Sequence, residues 1–381
     1  MNDDDTASVS PAALYERIEA DERTTLLDVR NRDEFESWRI EGPDAVQVPY
    51  SEFVAAKARG EVDDLLADLD LREPVVTVCP RGEASEMVAE LLRERGVEAE
   101  NLEGGMEGWA RLYVTDEVPA MGATVTQYDR PATGCLSYLV VAGDEAAVID
   151  PLRAFADRYV ADAENAGAEL KYAIDTHVHA DHLSGVRAVA DESGAEPVLP
   201  AGAPDRGLAF DATLLADEAR LEVGEKELTA VHAPGHTTEL TVLRLDEILF
   251  SGDALFLDSF GRPDLQSGDE GARDLAATTY DTLRGRLLSL PDESLVAPGH
   301  RTPTAEPAED GTYTARLAEV RQKISLPDDR EAFVSRVVES LPPRPANFEA
   351  IVPTNLGTQD VDDETAFELE LGPNNCAVAA E

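Results

Sequence analysis

Two textures of apolar and polar positions run along the chain. From about Ala12 to Leu112, short apolar runs alternate with stretches of helical spacing. TTLLDVR reads as a strand. PVVTVCP is an apolar run suited to a parallel strand buried on both faces. SEMVAELLRERG carries Met87, Val88, Leu91 and Leu92 on one helical face and is closed by Gly96. This alternation predicts a parallel α/β domain over residues 8–115.

A linker is expected around Thr115 to Met121, and the texture changes after it. CLSYLVVAGDEAAVIDP reads as two strands about a Gly143-Asp144 turn. FADRYVADAENAG is helical, KYAIDTH a strand and LSGVRAVADESG helical. HTTELTVLRLDEILFSGDALF supplies two strands, and ESLVAPGH another. Strands and helices interleave with hairpins, so a sandwich of mixed sheets covered by helices is expected over residues 123–305. The tail, residues 306–381, holds two expected helices (TARLAEVRQKI and DREAFVSRVVESL) and the Pro-rich LPPRPANFE, and is expected to pack on the second domain. The fold class is thus α/β and α+β in two domains.

Composition narrows the function classes. The 381 residues include 32 basic and 78 acidic side chains, a net charge of −46, and only four lysines. Acid spread along the whole chain reads as a halophile's solvated surface. It opposes nucleic-acid binding, which needs a basic face. No apolar run approaches the about 20 residues of a membrane helix. The start, MNDDDTASVS, lacks the pattern of a signal peptide. Three distant cysteines, Cys79, Cys135 and Cys376, form no CxxC pair. A cytoplasmic enzyme is the expectation, and a homodimer is left open. Cys135, at a strand start, is expected to be packed. Cys376, near the terminus, is expected at the surface.

Three of the six histidines fall within DTHVHADHLS: His177, His179 and His182, with Asp181 among them. The loop follows a strand, and a chain that turns there can aim imidazoles and a carboxylate at one point. Further donors each follow an apolar run: His236 in HAPGHTTE, Asp253 in LFSGDAL and His300 in LVAPGH. Several loops delivering N and O donors is the pattern of a metal site at strand ends. His232 fits no pattern and reads as a local hydrogen-bonding residue.

THVHADH, PGHT, SGDALF and APGH, in that order, resemble the metallo-β-lactamase fold superfamily. The resemblance implies one of two metal centres. In one, all seven donors hold two Zn(II) ions bridged by Asp253, and a thioester is hydrolysed, as in the glyoxalase II branch. In the other, a single Fe(II) is held by His177, His236 and Asp253, a two-histidine, one-carboxylate triad with open positions. His179, Asp181, His182 and His300 then surround it. SGDALFLDSFGRPDLQ resembles the persulfide dioxygenase branch, which favours iron. Arg262 then becomes a candidate to hold the carboxylate of a thiol carrier, its alternative being a structural pair with Asp264. The tail does not resemble the glutathione-binding helical domain of the glyoxalase II branch.

Cys79 ends an apolar strand and opens CPRGEAS, with a helix expected from about Ser85. A thiolate there faces the N–H groups of its loop and the positive end of a helix dipole, which would steady a persulfide. The alternative is a buried structural cysteine. With LLDVRNRDEFESWRIEGPDAVQVP and NLEGGMEGW, this loop resembles a single rhodanese domain, its persulfide held by Arg81, Gly82 and Ser85. Only Arg81 is basic in it and Glu83 is acidic, so thiosulfate is a doubtful donor. The expectation is a sulfur enzyme that oxidises a low-molecular-weight thiol persulfide to sulfite with dioxygen and passes sulfane sulfur through Cys79. A dizinc thioester hydrolase is the alternative, and a non-catalytic sulfur carrier or sensor the second.

Overall fold

The computed structural model describes residues 8–324, 326–372 and 376–378. The acidic start of the chain and residues 373–375 of GPNNCA lie outside them. The chain falls into two compact units, one ending at Tyr113 and taking in Arg130–Thr133, the other made of Val114–Asp129 and Gly134 onward.

The first unit is built on β1 (Ser8–Val9), β2 (Thr25–Asp28), β3 (Asp44–Gln47), β4 (Val75–Val78) and β5 (Ala99–Leu102). They form one sheet in the order β1-β5-β4-β2-β3, parallel at every pairing. The central strands TLLD and VVTV are buried throughout, as continuous apolar strands must be when both sheet faces are covered. The helix Glu83–Arg93 follows β4 and buries Val88, Leu91 and Leu92, with Val88 and Leu92 in one core with Leu27 and Val75. It starts at Glu83, ahead of the expected Ser85. Met87 is 49% exposed, because it lies one helical step off the apolar stripe.

The second unit has two sheets. The first runs β6 (Val114–Val118), β7 (Thr124–Arg130), β8 (Cys135–Ala142), β9 (Glu145–Ile149), β10 (Glu169–Ile174), β11 (Glu196–Pro200) and β12 (Thr213–Leu215), each beside the next. The stretch read as a linker is therefore largely strand: β6 pairs antiparallel with β7. Its acidic sequence, VTDEV, hides the alternation of a half-buried strand. The β8–β9 hairpin turns at Gly143 as expected, with the positive φ that the turn requires.

The other sheet runs β13 (Arg220–Val223), β14 (Lys226–His232), β15 (Thr241–Leu245), β16 (Ile248–Gly252), β17 (Leu295–Pro298) and β18 (Ala315–Arg316). The two sheets share one core. Tyr138, Ile149, Ile174 and Val198 meet Leu228, Val242, Phe250 and Val296 there, with the Tyr138 and Phe250 rings 5.0 Å apart. Helices Ala156–Asn165 and Val186–Ser193 pack on the first sheet, and Gly268–Thr282 packs with Arg330–Glu339, sending Ala276, Tyr280 and Phe333 into the core. The layers are helix, sheet, sheet, helix.

Strand direction locates the site. β9 and β10 are parallel. β14 and β16 are both antiparallel to β15, and β17 is parallel to β16. Within each sheet these strands end along one edge, where ligands bind in mixed α/β sheets. The tail adds helices Phe348–Asn355 and Asp363–Leu369 that the pattern did not predict. Pro353 sits inside the first and masks its signal. No helix among the described residues is long and apolar enough to cross a membrane.

Candidate metal centre

Every candidate donor follows a strand end. Asp150 follows β9; Asp175 to His182 follow β10; His236, Asp253 and His300 follow β14, β16 and β17. His177 Nε2 and His236 Nε2 lie 3.9 and 3.7 Å from Asp253 Oδ2. The three atoms are buried and none has a hydrogen-bond partner. Buried, unpartnered lone pairs facing one another are costly. A cation among them removes that cost, so these residues fit a metal ion.

The opposite atom of each ring fixes its tautomer. Thr176 Oγ1 donates to Asp150 Oδ2 at 2.9 Å and lies 2.9 Å from His177 Nδ1. A hydroxyl whose proton is committed can only accept, so His177 carries its proton on Nδ1 and its lone pair on Nε2. His236 Nδ1 donates to the Arg262 carbonyl at 2.8 Å, which leaves Nε2 bare in the same way. Burial, with the neighbouring imidazoles, holds His177 well below its usual range, and burial lowers His236. Both favour the neutral, ligating form.

The remaining donors form two further groups. His179 Nε2 lies 3.2 Å from Asp150 Oδ1 and 3.6 Å from Asp175 Oδ1, while its Nδ1 has no partner. Burial and His182 oppose a charge on His179; Asp150 and Asp175 outweigh them and lift it to about 9. The other group is Cys135, Asp181, His182 and His300. His300 sits between two carboxylates, Nδ1 at 2.6 Å from Asp253 Oδ1 and Nε2 at 2.7 Å from Asp181 Oδ2. Burial works against its charged form, and the two aspartates outweigh burial and raise it well above the usual range. Asp181 Oδ2 also meets His182 Nδ1 at 3.2 Å and Cys135 Sγ at 3.4 Å.

In the first unit, Cys79 Sγ accepts from Gly82 N–H at 3.1 Å, and Ser85 Oγ–H stands 3.1 Å from both Sγ and the Gly82 carbonyl. The Cys79 carbonyl accepts Met106 N–H, and Pro80 accepts Glu107 N–H. Gly105 makes this fit possible: a Cβ there would stand 2.1 Å from the Cys79 carbonyl oxygen. Arg81 is exposed and its Nε donates to Glu107 Oε1 at 2.6 Å.

Residues 130–300 match the metallo-beta-lactamase superfamily, and residues 10–112 match the rhodanese-like domain. A hydroxyacylglutathione hydrolase of Anaeromyxobacter dehalogenans is 33% identical over 187 residues, 48% of this chain and 71% of that protein. The chain belongs to the metallo-beta-lactamase superfamily. Within it, the chain is similar to the mitochondrial persulfide dioxygenase ETHE1 of Mus musculus, 29% identical over 260 residues, covering 62% of this chain and 90% of that one. The crystal structure of ETHE1 from Myxococcus xanthus superposes with a TM-score of 0.51 at 28% identity, over 64% of this chain and 99% of that chain.

The metallo-beta-lactamase unit corrects several expectations. Arg262 is buried and makes the pair with Asp264 that the sequence left as its alternative. Its Nε and Nη2 grip Asp264 at 2.7 and 3.0 Å, and its guanidinium also donates to the carbonyls of Pro342 and Pro343. Cys376 is buried too, its thiol packed with Ala180 and Leu265 and its carbonyl accepting Arg262 N–H. A terminal position suggested exposure; docking of the tail overrides it. Cys135 is packed as expected, but against Asp181. His232 is a local hydrogen-bonding residue, bonded to the Thr238 carbonyl.

Sequence reasoning missed the residues that hold the histidine loop. Asn355 Oδ1 accepts Ser184 N–H, and Nδ2 donates to the carbonyls of His179 and His182. Glu370 accepts Leu183 N–H at 2.7 Å. Glu239, paired with Arg206, accepts Val178 N–H between the first two histidines. No local motif marks any of them.

Asn355→Ala removes three hydrogen bonds to this loop, and metal affinity is expected to fall about 10- to 100-fold, read by competition with a chromophoric chelator. Asp264 gives a pH signature. Burial pushes its carboxyl up, and Arg262 and Arg344 outweigh that and hold it below the usual range. Its stabilising contribution is therefore present above the unfolded carboxyl pKa, about 3.9, and is lost as pH falls through the folded value. Asp264→Asn is expected to cost about 3 kcal/mol at neutral pH. Denaturant unfolding at several pH values should show the difference from wild type closing below about pH 4.

Proposed function

We propose that the protein is an iron-dependent persulfide dioxygenase joined to a sulfurtransferase domain, acting in sulfur metabolism. One observation carries the reading: the unpartnered atoms His177 Nε2, His236 Nε2 and Asp253 Oδ2 facing one another. Two histidines and one carboxylate, with positions left open, suit Fe(II) in an oxygenase. The persulfide dioxygenase relatives support the same reaction.

His177, His236 and Asp253 would hold the ion, and bound Fe(II) would supply open positions for a thiolate-type substrate and dioxygen. His300 engages Asp253 Oδ1, so Oδ2 is the oxygen left to ligate. Thr176 and the Arg262 carbonyl keep the two ring lone pairs aimed inward. The overall change balances: one persulfide, one dioxygen and one water give one thiol and one sulfurous acid. In the first unit, the Cys79 thiolate would carry sulfane sulfur, with Gly82 N–H and Ser85 Oγ–H stabilising charge on Sγ. Arg81 and Gly82 complete that loop.

A second reading is a dizinc thioester hydrolase. Asp181 Oδ1 and His182 Nε2 are also buried atoms that make no hydrogen bond, as donors to a second ion would be, and hydroxyacylglutathione hydrolases are among the relatives. Against it, both nitrogens of His300 are engaged by carboxylates. A non-catalytic carrier or sensor calls for a closed four-donor site; Cys135, Asp181, His182 and His300 supply four donors, but both nitrogens of His300 are engaged by carboxylates, and the triad supplies only three.

Anaerobically purified protein should contain iron at about one per chain and consume oxygen when given a thiol persulfide. His236→Ala should reduce that uptake by more than about 100-fold, beyond the loss from an outer partner. Two zinc ions per chain with no oxygen uptake would sink the proposal in favour of the hydrolase. Cys79→Ser should abolish sulfur transfer and keep oxygen consumption with a soluble persulfide. Equal loss of both would show that Cys79 belongs to the oxidation itself.

A further inference from the structure

The proposed sulfurtransferase reading leaves the donor's chemistry open, and the charges around Cys79 bear on it. The loop holds one cation, Arg81, and its Nε is engaged by Glu107 at 2.6 Å. Glu107 is placed there by its own backbone, whose N–H donates to the Pro80 carbonyl of the Cys79 loop. The first turn of the following helix carries Glu83 and Glu86. Glu86 is paired with Arg93, whereas Glu83 is exposed. What faces Sγ directly is neutral: one backbone N–H and one hydroxyl, at 3.1 Å each. Such surroundings, around a thiol only 2% exposed, can stabilise a single charge on sulfur. It offers no uncommitted cation to a dianion, and Glu83 adds repulsion.

We infer that Cys79 takes its sulfur from a persulfide carrying at most one charge at its sulfane end, in preference to the thiosulfate dianion. Glu107 is the specificity-determining residue, because it occupies Arg81. The inference rests on the transfer reading of Cys79. The step balances: the Cys79 thiolate attacks the outer sulfur of R–S–S–H, a Cys79 Sγ–S bond forms, the donor's S–S bond breaks, and R–S⁻ leaves with that electron pair. The proton stays on the transferred sulfur, giving Cys79–S–S–H.

The test is loading of Cys79 in the full chain at low ionic strength, by cysteine persulfide and by thiosulfate separately. Peptide mass spectrometry reads the gain of one sulfur at Cys79, apart from Cys135 and Cys376. Cysteine persulfide should load Cys79 at least about tenfold faster than thiosulfate. Glu107→Gln should raise the thiosulfate-to-persulfide rate ratio about fivefold, the scale of one exposed ion pair, and added salt should shrink the gain. Adding Arg81→Gln to Glu107→Gln should cancel it. Equal loading by both donors in wild type, or a ratio that Glu107→Gln does not move, overturns the inference and leaves sulfur transfer standing. Loading by neither donor overturns both.

Discussion

Three lone pairs, on His177 Nε2, His236 Nε2 and Asp253 Oδ2, point at one another where no other protein atom satisfies them. Without a cation, each buried acceptor costs on the order of a few kcal/mol. The surrounding fold must hold the side chains in place against that cost. It does so through the far side of each group: Thr176 takes His177, the Arg262 carbonyl takes His236, and His300 takes the other oxygen of Asp253. Each partner fixes both a rotamer and a proton position. A ring free to flip would present N–H as often as a lone pair, and an ion would then compete with a proton.

The same requirement explains the glycines beside the candidate donors. Gly252 adopts a positive φ, and a Cβ there would stand 2.4 Å from Thr176 Oγ1. A Cβ on Gly299 would stand 2.9 Å from Asp253 Oδ1. SGD and PGH therefore combine two needs. One residue supplies the donor, and its neighbour lets another chain segment approach closely enough to support it. Convergence follows from strand direction, since the loops that bear donors leave strands ending along a common edge in each sheet. The left-handed Asp150 belongs to the same economy. Its carboxylate serves Thr176 N–H, Thr176 Oγ–H and His179 together, and such backbone strain persists where several contacts over-determine it.

What was legible in the sequence was local. His177 to His182 stand out through spacing, the other candidate donors through the apolar strands before them, and Cys79 through the strand and helix that flank it. Contacts made across the chain were not. Asn355 reaches His179 and His182 over 176 and 173 positions, and an isolated Asn carries no site signature of its own. The burial of Cys376 depends on the tail folding back, which no periodicity announces. Thr115 to Met121 reads as a linker because the strand VTDEV that overlaps it has few inward positions, one of them acidic, and shows little alternation. Arg262 shows a further limit. Its neighbour Asp264 was visible, but choosing between that partner and a substrate needed the two proline carbonyls, 80 and 81 positions away.

Charge ties the two units together chemically. With 78 acidic against 32 basic side chains, more than two carboxylates compete for each cation. A guanidinium in such a chain meets a protein carboxylate far more readily than a substrate, and both cations singled out from sequence, Arg81 and Arg262, are taken in this way. Recognition of anionic atoms must then fall to groups a carboxylate cannot easily claim. Buried backbone N–H groups and hydroxyls qualify, as at Cys79. So does a cation enclosed by three protein donors. On the proposed function, the acid surplus thus favours a chemistry in which negative sulfur would be held by dipoles at one site and by a metal ion at the other, with surface arginines left to neutralise the chain itself.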